Sequence, residues 1–160
     1  MSTLLEIYLN DHLAGATAGR ELARRAAAGN RNSAYGPFLE RLAMQIQQDR
    51  QSLIDLMGVL EVDVDHLKVI GGWTAEKIGR LKRNGRWLSY SPLSRVVELE
   101  ALTLGVRGKL ALWNALEEIA PDEPRLEAGS LKKLASRAEA QLTELAEHRS
   151  RAIPEALLHR

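Results

Sequence analysis

Apolar side chains recur at alternating steps of four and three residues along four long segments of the chain, the spacing of a buried helical face. The first segment begins at Thr3 and ends near Gly29. Its inward positions are predicted to be Leu5, Leu9, His12, Ala16, Gly19, Ala23 and Ala26. The pattern therefore predicts a first helix with an inward face built largely from small side chains.

A second helix is predicted to open at Pro37, because a proline is tolerated in the first helical turn, and to run to about Leu60. Its inward positions are Leu42, Ile46, Asp49, Leu53, Leu56 and Leu60. Asp49 is the single acidic residue in this set. A carboxylate at such a position needs a partner or a ligand, since an unpaired buried charge is costly.

The third helix is predicted to open at the Ser91-Pro92 pair and to end near Ala120, with apolar residues nearly all round. The fourth follows the Pro-Asp-Glu-Pro stretch at residues 121–124 and fades before Pro154. Its face carries Leu131, Leu134, Ala138, Leu142 and Leu145. The last residues, 154–160, are predicted to form a C-terminal tail.

Short turns join the first helix to the second and the third to the fourth, whereas residues 61–90 break the helical pattern between the two pairs. We interpret this segment as one long crossover connection. The prediction is therefore an all-α fold, a single up-and-down four-helix bundle over residues 1–153 with one long crossover between its second and third helices.

This order of helices and connections resembles the ferritin-like superfamily over roughly residues 3–150. The stretch "EKIGRLKRNGRWLSYSPLSRVVELEALTLGVRGKLALW" is also similar to a bacterial family of bundle proteins whose activity is uncharacterised. The ferritin-like resemblance implies helices that can hold a carboxylate metal site, with Fe or Mn as the metal.

The ligand pattern of such a site is incomplete here. No Glu is followed three residues later by a His, the spacing that places both ligands on one helix face. The remaining metal-ligand candidates are His12, Asp49, Glu100 and His148. The interpretation we favour is that no cofactor binds and that the inward polar groups satisfy one another as a buried polar network, comprising His12, Asp49, Glu100, Arg107 and Gln141.

Glycines on the first and third helices carry a separate prediction. Gly15 and Gly19 are expected to let a neighbouring backbone approach closely, as are the glycines of the stretch 105–109. With the apolar third helix, they favour self-association, giving a homo-oligomer such as a dimer.

Charge is unevenly distributed, although the whole chain carries only +1. The predicted crossover contains the basic residues Lys77, Arg80, Lys82, Arg83 and Arg86, with Trp73 and Trp87 among them. Such a segment is typical of anion binding, with an acidic protein partner favoured over nucleic acid and a membrane not expected. Alternatively, the aromatic residues pin the crossover to the helices and the basic side chains point to water.

The composition excludes several classes of protein. The 160 residues include no cysteine, which rules out disulfides, zinc–thiolate sites, iron–sulfur clusters and thiol nucleophiles. No apolar run approaches the roughly 18 residues that span a membrane, and Met1 to Leu5 do not resemble a signal peptide, so we expect a cytoplasmic protein.

Together these observations predict a non-catalytic ferritin-like protein that acts as a structural or interaction module without a di-iron site. Two alternatives stay open. One is a metal-binding protein or oxidoreductase with a reduced His/carboxylate set, and the other is a protein that binds anions or nucleic acid through the basic crossover.

Overall fold

The computed structural model describes residues 3–65 and 90–158, and these form four α-helices without any β-strand. The helices are α1 (Thr3–Asn30), α2 (Gly36–Val59), α3 (Pro92–Ile119) and α4 (Ala128–Leu157). The prediction of an all-α chain with four long helices is confirmed. The first three helices begin and end within about one residue of the predicted positions.

Local sequence explains two of the helix starts. The Ser91 side chain caps α3 by accepting a hydrogen bond from the backbone N–H of Ser94 at 3.1 Å, and Pro92 follows in the first turn. The carboxylate of Glu127 caps α4 in the same way, accepting from the Ser130 N–H at 2.9 Å.

The end of α4 differs from the sequence-based expectation. The helix continues through Pro154 to Leu157, where a tail beginning at residue 154 was predicted. Pro154 has no N–H to donate to the preceding turn, but the segment is held by other contacts. The Glu155 carboxylate accepts hydrogen bonds from Tyr35 Oη at 2.9 Å and Arg95 Nη1 at 3.1 Å.

The helices share one hydrophobic core. Helix α1 packs along α2, α3 packs along α4, and α1 also contacts α3. On α1, α2 and α3, the largest fully buried side chains are Leu9, Leu13, Leu39, Leu42, Leu53, Met57, Leu99, Leu102, Leu112, Trp113 and Leu116. Leu131, Ala138 and Leu145 supply the α4 face.

Asparagine side chains tie the helix ends together. The Asn10 side chain, near the start of α1, donates to the carbonyl oxygen of Asp63 at 3.0 Å and accepts from the N–H of Asp65 at 2.7 Å. At the other end, Asn30 donates to Tyr90 Oη and accepts from Arg95 Nε, both at 2.7 Å. The end of α1, from which a short turn leads to α2, therefore contacts the start of α3.

The predicted crossover falls largely on residues 66–89, which lie outside the described ranges. The anion-binding candidates Lys77, Arg80, Lys82, Arg83 and Arg86 lie there too, together with Trp73 and Trp87. Within the ranges the structure describes, none of the four helices is long and apolar enough to cross a lipid bilayer.

Candidate functional site

A cavity of about 650 Å³ lies between α1 and α3, and α2 contributes to its wall. Its lining is mainly apolar, with Leu22, Ile46, Leu53, Val106 and Leu112 among the lining residues. Much of the remaining wall consists of small residues from the two facing helices: Gly15, Ala16, Ala18, Gly19, Ala101, Gly105 and Gly108. The cavity is partly open, and Leu104 at its lining is 72% exposed.

The glycines do not act as predicted. A Cβ atom placed on Gly15, Gly19, Gly105 or Gly108 would meet no heavy atom within 4 Å. The prediction of close helix packing at these positions is therefore wrong. The missing side chains instead leave a space between α1 and α3. Small residues on both helices leave a cavity that larger side chains would fill.

Trp113 lines this cavity and is 1% exposed, yet its indole N–H makes no hydrogen bond to any of residues 3–65 or 90–158. Buried polar groups nearly always have a partner, and a buried donor without one costs about 1–3 kcal/mol. The sequence pattern placed Trp113 on the inward face of the third helix but gave no sign that its N–H would lack a partner.

Asp49 anchors a polar wall on the same cavity. This carboxylate is 2% exposed and accepts hydrogen bonds from the side chains of Lys109, Arg137 and Gln141. Lys109 also donates to Gln141 Oε1. Further out, Gln141 Nε2 donates to Gln45 Oε1 at 3.1 Å, so α2, α3 and α4 are linked through one cluster.

The cluster around Asp49 holds more positive than negative charge. One carboxylate, Asp49, pairs with the two cations Lys109 and Arg137. Burial lowers the pKa of Lys109 below its usual range, and the neighbouring Asp49 opposes that shift. The Arg137 Nε–H is also buried and has no partner among the described residues, so the cluster has donors in excess of acceptors there.

Polar side chains of α1 and α2 also line the cavity. Arg50 Nε donates to the hydroxyl oxygen of Thr17 at 2.9 Å. The His12 ring packs edge-on against Tyr8, with ring centroids 4.6 Å apart. Burial lowers the pKa of His12, although Asp11 opposes the shift, so the imidazole is predominantly neutral at neutral pH.

The four metal-ligand candidates do not converge. Asp49 is held by cations and His12 packs on Tyr8, while Glu100 is exposed. His148 stacks on Phe38 at 3.8 Å between ring centroids, and its Nδ1 lies 2.8 Å from the Glu144 carbonyl oxygen. No group of three or more His, Asp or Glu side chains suited to a metal occurs within residues 3–65 and 90–158.

The expected polar network differs in its membership from the observed cluster. Asp49 and Gln141 are brought together, but Glu100 and Arg107 are exposed and His12 lies elsewhere on the cavity wall. Glu100 and Arg107 each follow a buried residue directly, so each is turned by about 100° away from the inward face.

Lys109 and Arg137 complete the observed cluster and were not anticipated. Lys109 lies three residues after Val106 and four before Trp113, which is inward spacing on α3. Arg137 lies four residues before Gln141 on α4. Helical spacing therefore places both residues on the same faces as Asp49 and Gln141, once basic residues are allowed at inward positions.

Compared with protein-family models, curated proteins and solved structures, the chain matches none.

Proposed function

We propose that this chain is a non-catalytic, ligand-binding helical protein that holds an apolar small molecule in the cavity between α1 and α3. The observation that carries the proposal is that a partly open, glycine-lined apolar cavity lies beside the N–H of Trp113, which has no partner among the residues described. A volume of about 650 Å³ lies in the range of small-molecule sites, which are mostly apolar with a few polar groups.

The charged groups around the cavity support binding over catalysis. Lys109 and Asp49 pair with each other, and Arg50 donates to Thr17. Such contacts hold these side chains in place and engage their polar atoms, whereas a general base or nucleophile requires an available lone pair.

A neutral fluorescent probe tests the proposal. N-phenyl-1-naphthylamine fluoresces more strongly in apolar surroundings, and we expect saturable binding of one molecule per chain. Gly108→Leu should weaken binding at least tenfold, because the new side chain enters the cavity from a half-buried position with free space around it. Gly58→Leu is the matched control, since Gly58 is an exposed α2 residue away from the cavity lining.

Two results would overturn the binding proposal. One is the absence of saturable fluorescence with the unmodified chain. The other is equal binding by the Gly108→Leu and Gly58→Leu variants, with thermal melts showing that both are folded, because the probe would then bind elsewhere.

We further propose that the helices follow the ferritin-like order, with a lengthwise crossover between α2 and α3. Support comes from the helix ends: Asn10 contacts the residues that follow α2, whereas Asn30 contacts Tyr90 and Arg95 at the start of α3. The chain must then travel from one end of the helices to the other between residues 65 and 90.

The other hypotheses from the sequence remain predictions. They are a site for Fe or Mn, anion binding through the basic crossover, an acidic protein partner and a homo-oligomer. Elemental analysis of the purified chain and sedimentation at high micromolar concentration would test the metal and the oligomer directly.

A further inference from the structure

The polar groups at the cavity are short of acceptors. Trp113 has a buried indole N–H that finds no partner in the part of the chain that the structure describes. Lys109 has three N–H donors, of which two go to Asp49 and Gln141 in the described part of the chain. These two residues are four positions apart on α3, so they project from the same helix face into one region.

The charge balance points the same way. The buried Asp49 carboxylate faces the ammonium group of Lys109 and the guanidinium group of Arg137, which leaves one surplus positive charge in the cluster. Away from this cluster, the cavity lining holds one further cation and one further anion, Arg50 and Asp11, so the surplus lies beside Lys109. In apolar surroundings such a surplus attracts a monoanion more strongly than it would in water.

We propose that the ligand is a free amphipathic monocarboxylate, with its apolar body against the glycine-lined wall and its carboxylate accepting hydrogen bonds from Lys109 and Trp113. This proposal rests on the binding function proposed above and adds the chemical class of the ligand. The glycine wall of α1 and α3 supplies room for a chain or ring system, and the α3 pair supplies donors for the carboxylate.

Related ligands fit less well. An alkyl alcohol offers an acceptor for the Trp113 N–H but carries no charge to balance Lys109 and Arg137. An alkylammonium offers only donors and adds a third cation beside these two. Hydrogen bonds to a charged group are stronger than neutral ones, so we expect decanoate to bind about tenfold or more tighter than 1-decanol.

The test compares decanoate, 1-decanol and decylammonium on the unmodified chain at pH 7.5, with the two ionic ligands below their critical micelle concentrations and 1-decanol below its solubility limit. The readout is the set of indole N–H resonances from the three tryptophans in a ¹H–¹⁵N spectrum. Trp113→Phe identifies the Trp113 signal. We expect decanoate to shift that signal downfield in a saturable way, and decylammonium to leave it unchanged.

Lys109→Met provides a second readout, because it removes the charge and keeps an apolar stem of similar length. The preference for decanoate over 1-decanol should disappear, whereas Lys133→Met, an exposed α4 control, should retain it. Since the three-ligand comparison uses the unmodified chain, it decides the question even if Lys109→Met fails to fold.

The outcomes separate the two proposals. If 1-decanol or decylammonium binds as tightly as decanoate, the carboxylate proposal is overturned and the apolar binding function stands. If decanoate shows no saturable binding under these conditions, or binds without moving the Trp113 signal, the carboxylate proposal is likewise overturned. If none of the three ligands nor the neutral fluorescent probe binds, both proposals fail.

Discussion

Asp49 holds together cations from two other helices, and its contribution depends on the pairing. It is 2% exposed and accepts from Lys109 on α3 and Arg137 on α4. A buried ion pair is not necessarily more stable than an apolar substitute, but removing one partner leaves the others uncompensated. Removing Asp49 alone should therefore destabilise the protein by more than the ion pairs contribute to stability in total.

We expect Asp49→Asn to lower the free energy of unfolding by about 2–4 kcal/mol, because two partly buried cations lose their counter-charge while side-chain volume is unchanged. Urea denaturation followed by circular dichroism measures this. Asp55→Asn is the control: Asp55 is exposed on the same helix and accepts from Gln51, so its loss should cost less than about 0.5 kcal/mol. Equal effects of the two variants would contradict the pairing described here.

Replacing a glycine by alanine should raise or lower the free energy of unfolding according to the surroundings of that glycine. Gly19→Ala should raise the free energy of unfolding by about 0.5–1 kcal/mol, because alanine is the better helix former and its methyl meets nothing within 4 Å. Gly36→Ala should lower it, because its methyl would lie 2.8 Å from the Arg31 carbonyl oxygen. Thermal denaturation of both variants tests this, and a loss of stability in Gly19→Ala would mean that α1 packs closely at that position.

The contrast between Gly19 and Gly36 also shows how far sequence reasoning reaches. Helical periodicity predicted α1, α2 and α3 closely, since it depends on which face is buried. The same periodicity cannot tell whether a glycine face touches a neighbour or borders a cavity, because that depends on the distance between helices. It also cannot give helix rotation to within one residue, which is why Glu100 was expected inside next to the buried Leu99.

At the scale of the elements, tertiary contacts override a local signal at the end of α4. Proline usually ends a helix, so Pro154 predicted a tail. The structure continues to Leu157, and Ala152 is fully buried just before the proline while Glu155 bonds to Tyr35 and Arg95 just after it. The free energy lost with one hydrogen bond in the last turn is smaller than the free energy that these contacts contribute.

The end of α2 carries a different local cost. Glu61 has a positive φ of 57°, the left-handed conformation that glycine usually supplies after a helix. Its N–H donates to the Gly58 carbonyl oxygen at 3.1 Å, and the Val62 N–H donates to the Met57 carbonyl oxygen at 2.9 Å. These two bonds form a Schellman motif with a glutamate at the position that favours glycine.

Glu61→Gly should therefore raise the free energy of unfolding by up to about 1 kcal/mol, since it removes the clash of Cβ with the following carbonyl. Glu61→Ala is the matched control. It removes the same carboxylate, which lies 3.5 Å from Arg125 Nη1, but retains the Cβ. Chemical denaturation of both variants separates the terms, and a glycine variant no more stable than the alanine variant would show that backbone strain at residue 61 is negligible.

At the scale of the whole molecule, the cavity depends on how two helical hairpins are arranged. Helix α1 packs on α2 and α3 packs on α4, and the cavity lies where α1 faces α3. The Asp49 cluster joins α2 to α3 and α4 beside that opening. The site is formed only by the assembled helices, which explains why no short sequence motif indicated it.

The helix order is measurable with a pair of spin labels, because the chain has no cysteine and labels attach only where one is introduced. Val59 ends α2 and Leu93 begins α3, and both side chains are exposed. If α2 and α3 begin at the same end, the 24 residues of α2 separate these labels by about 36 Å along the helix axis. Labels at Arg31 and Leu93 should instead lie within about 20 Å, two helix diameters.

A short distance between positions 59 and 93 would mean that α3 starts where α2 ends, and α1 and α3 would then run parallel instead of antiparallel. The crossover, the Asn30 contacts and the cavity would all have to be abandoned together.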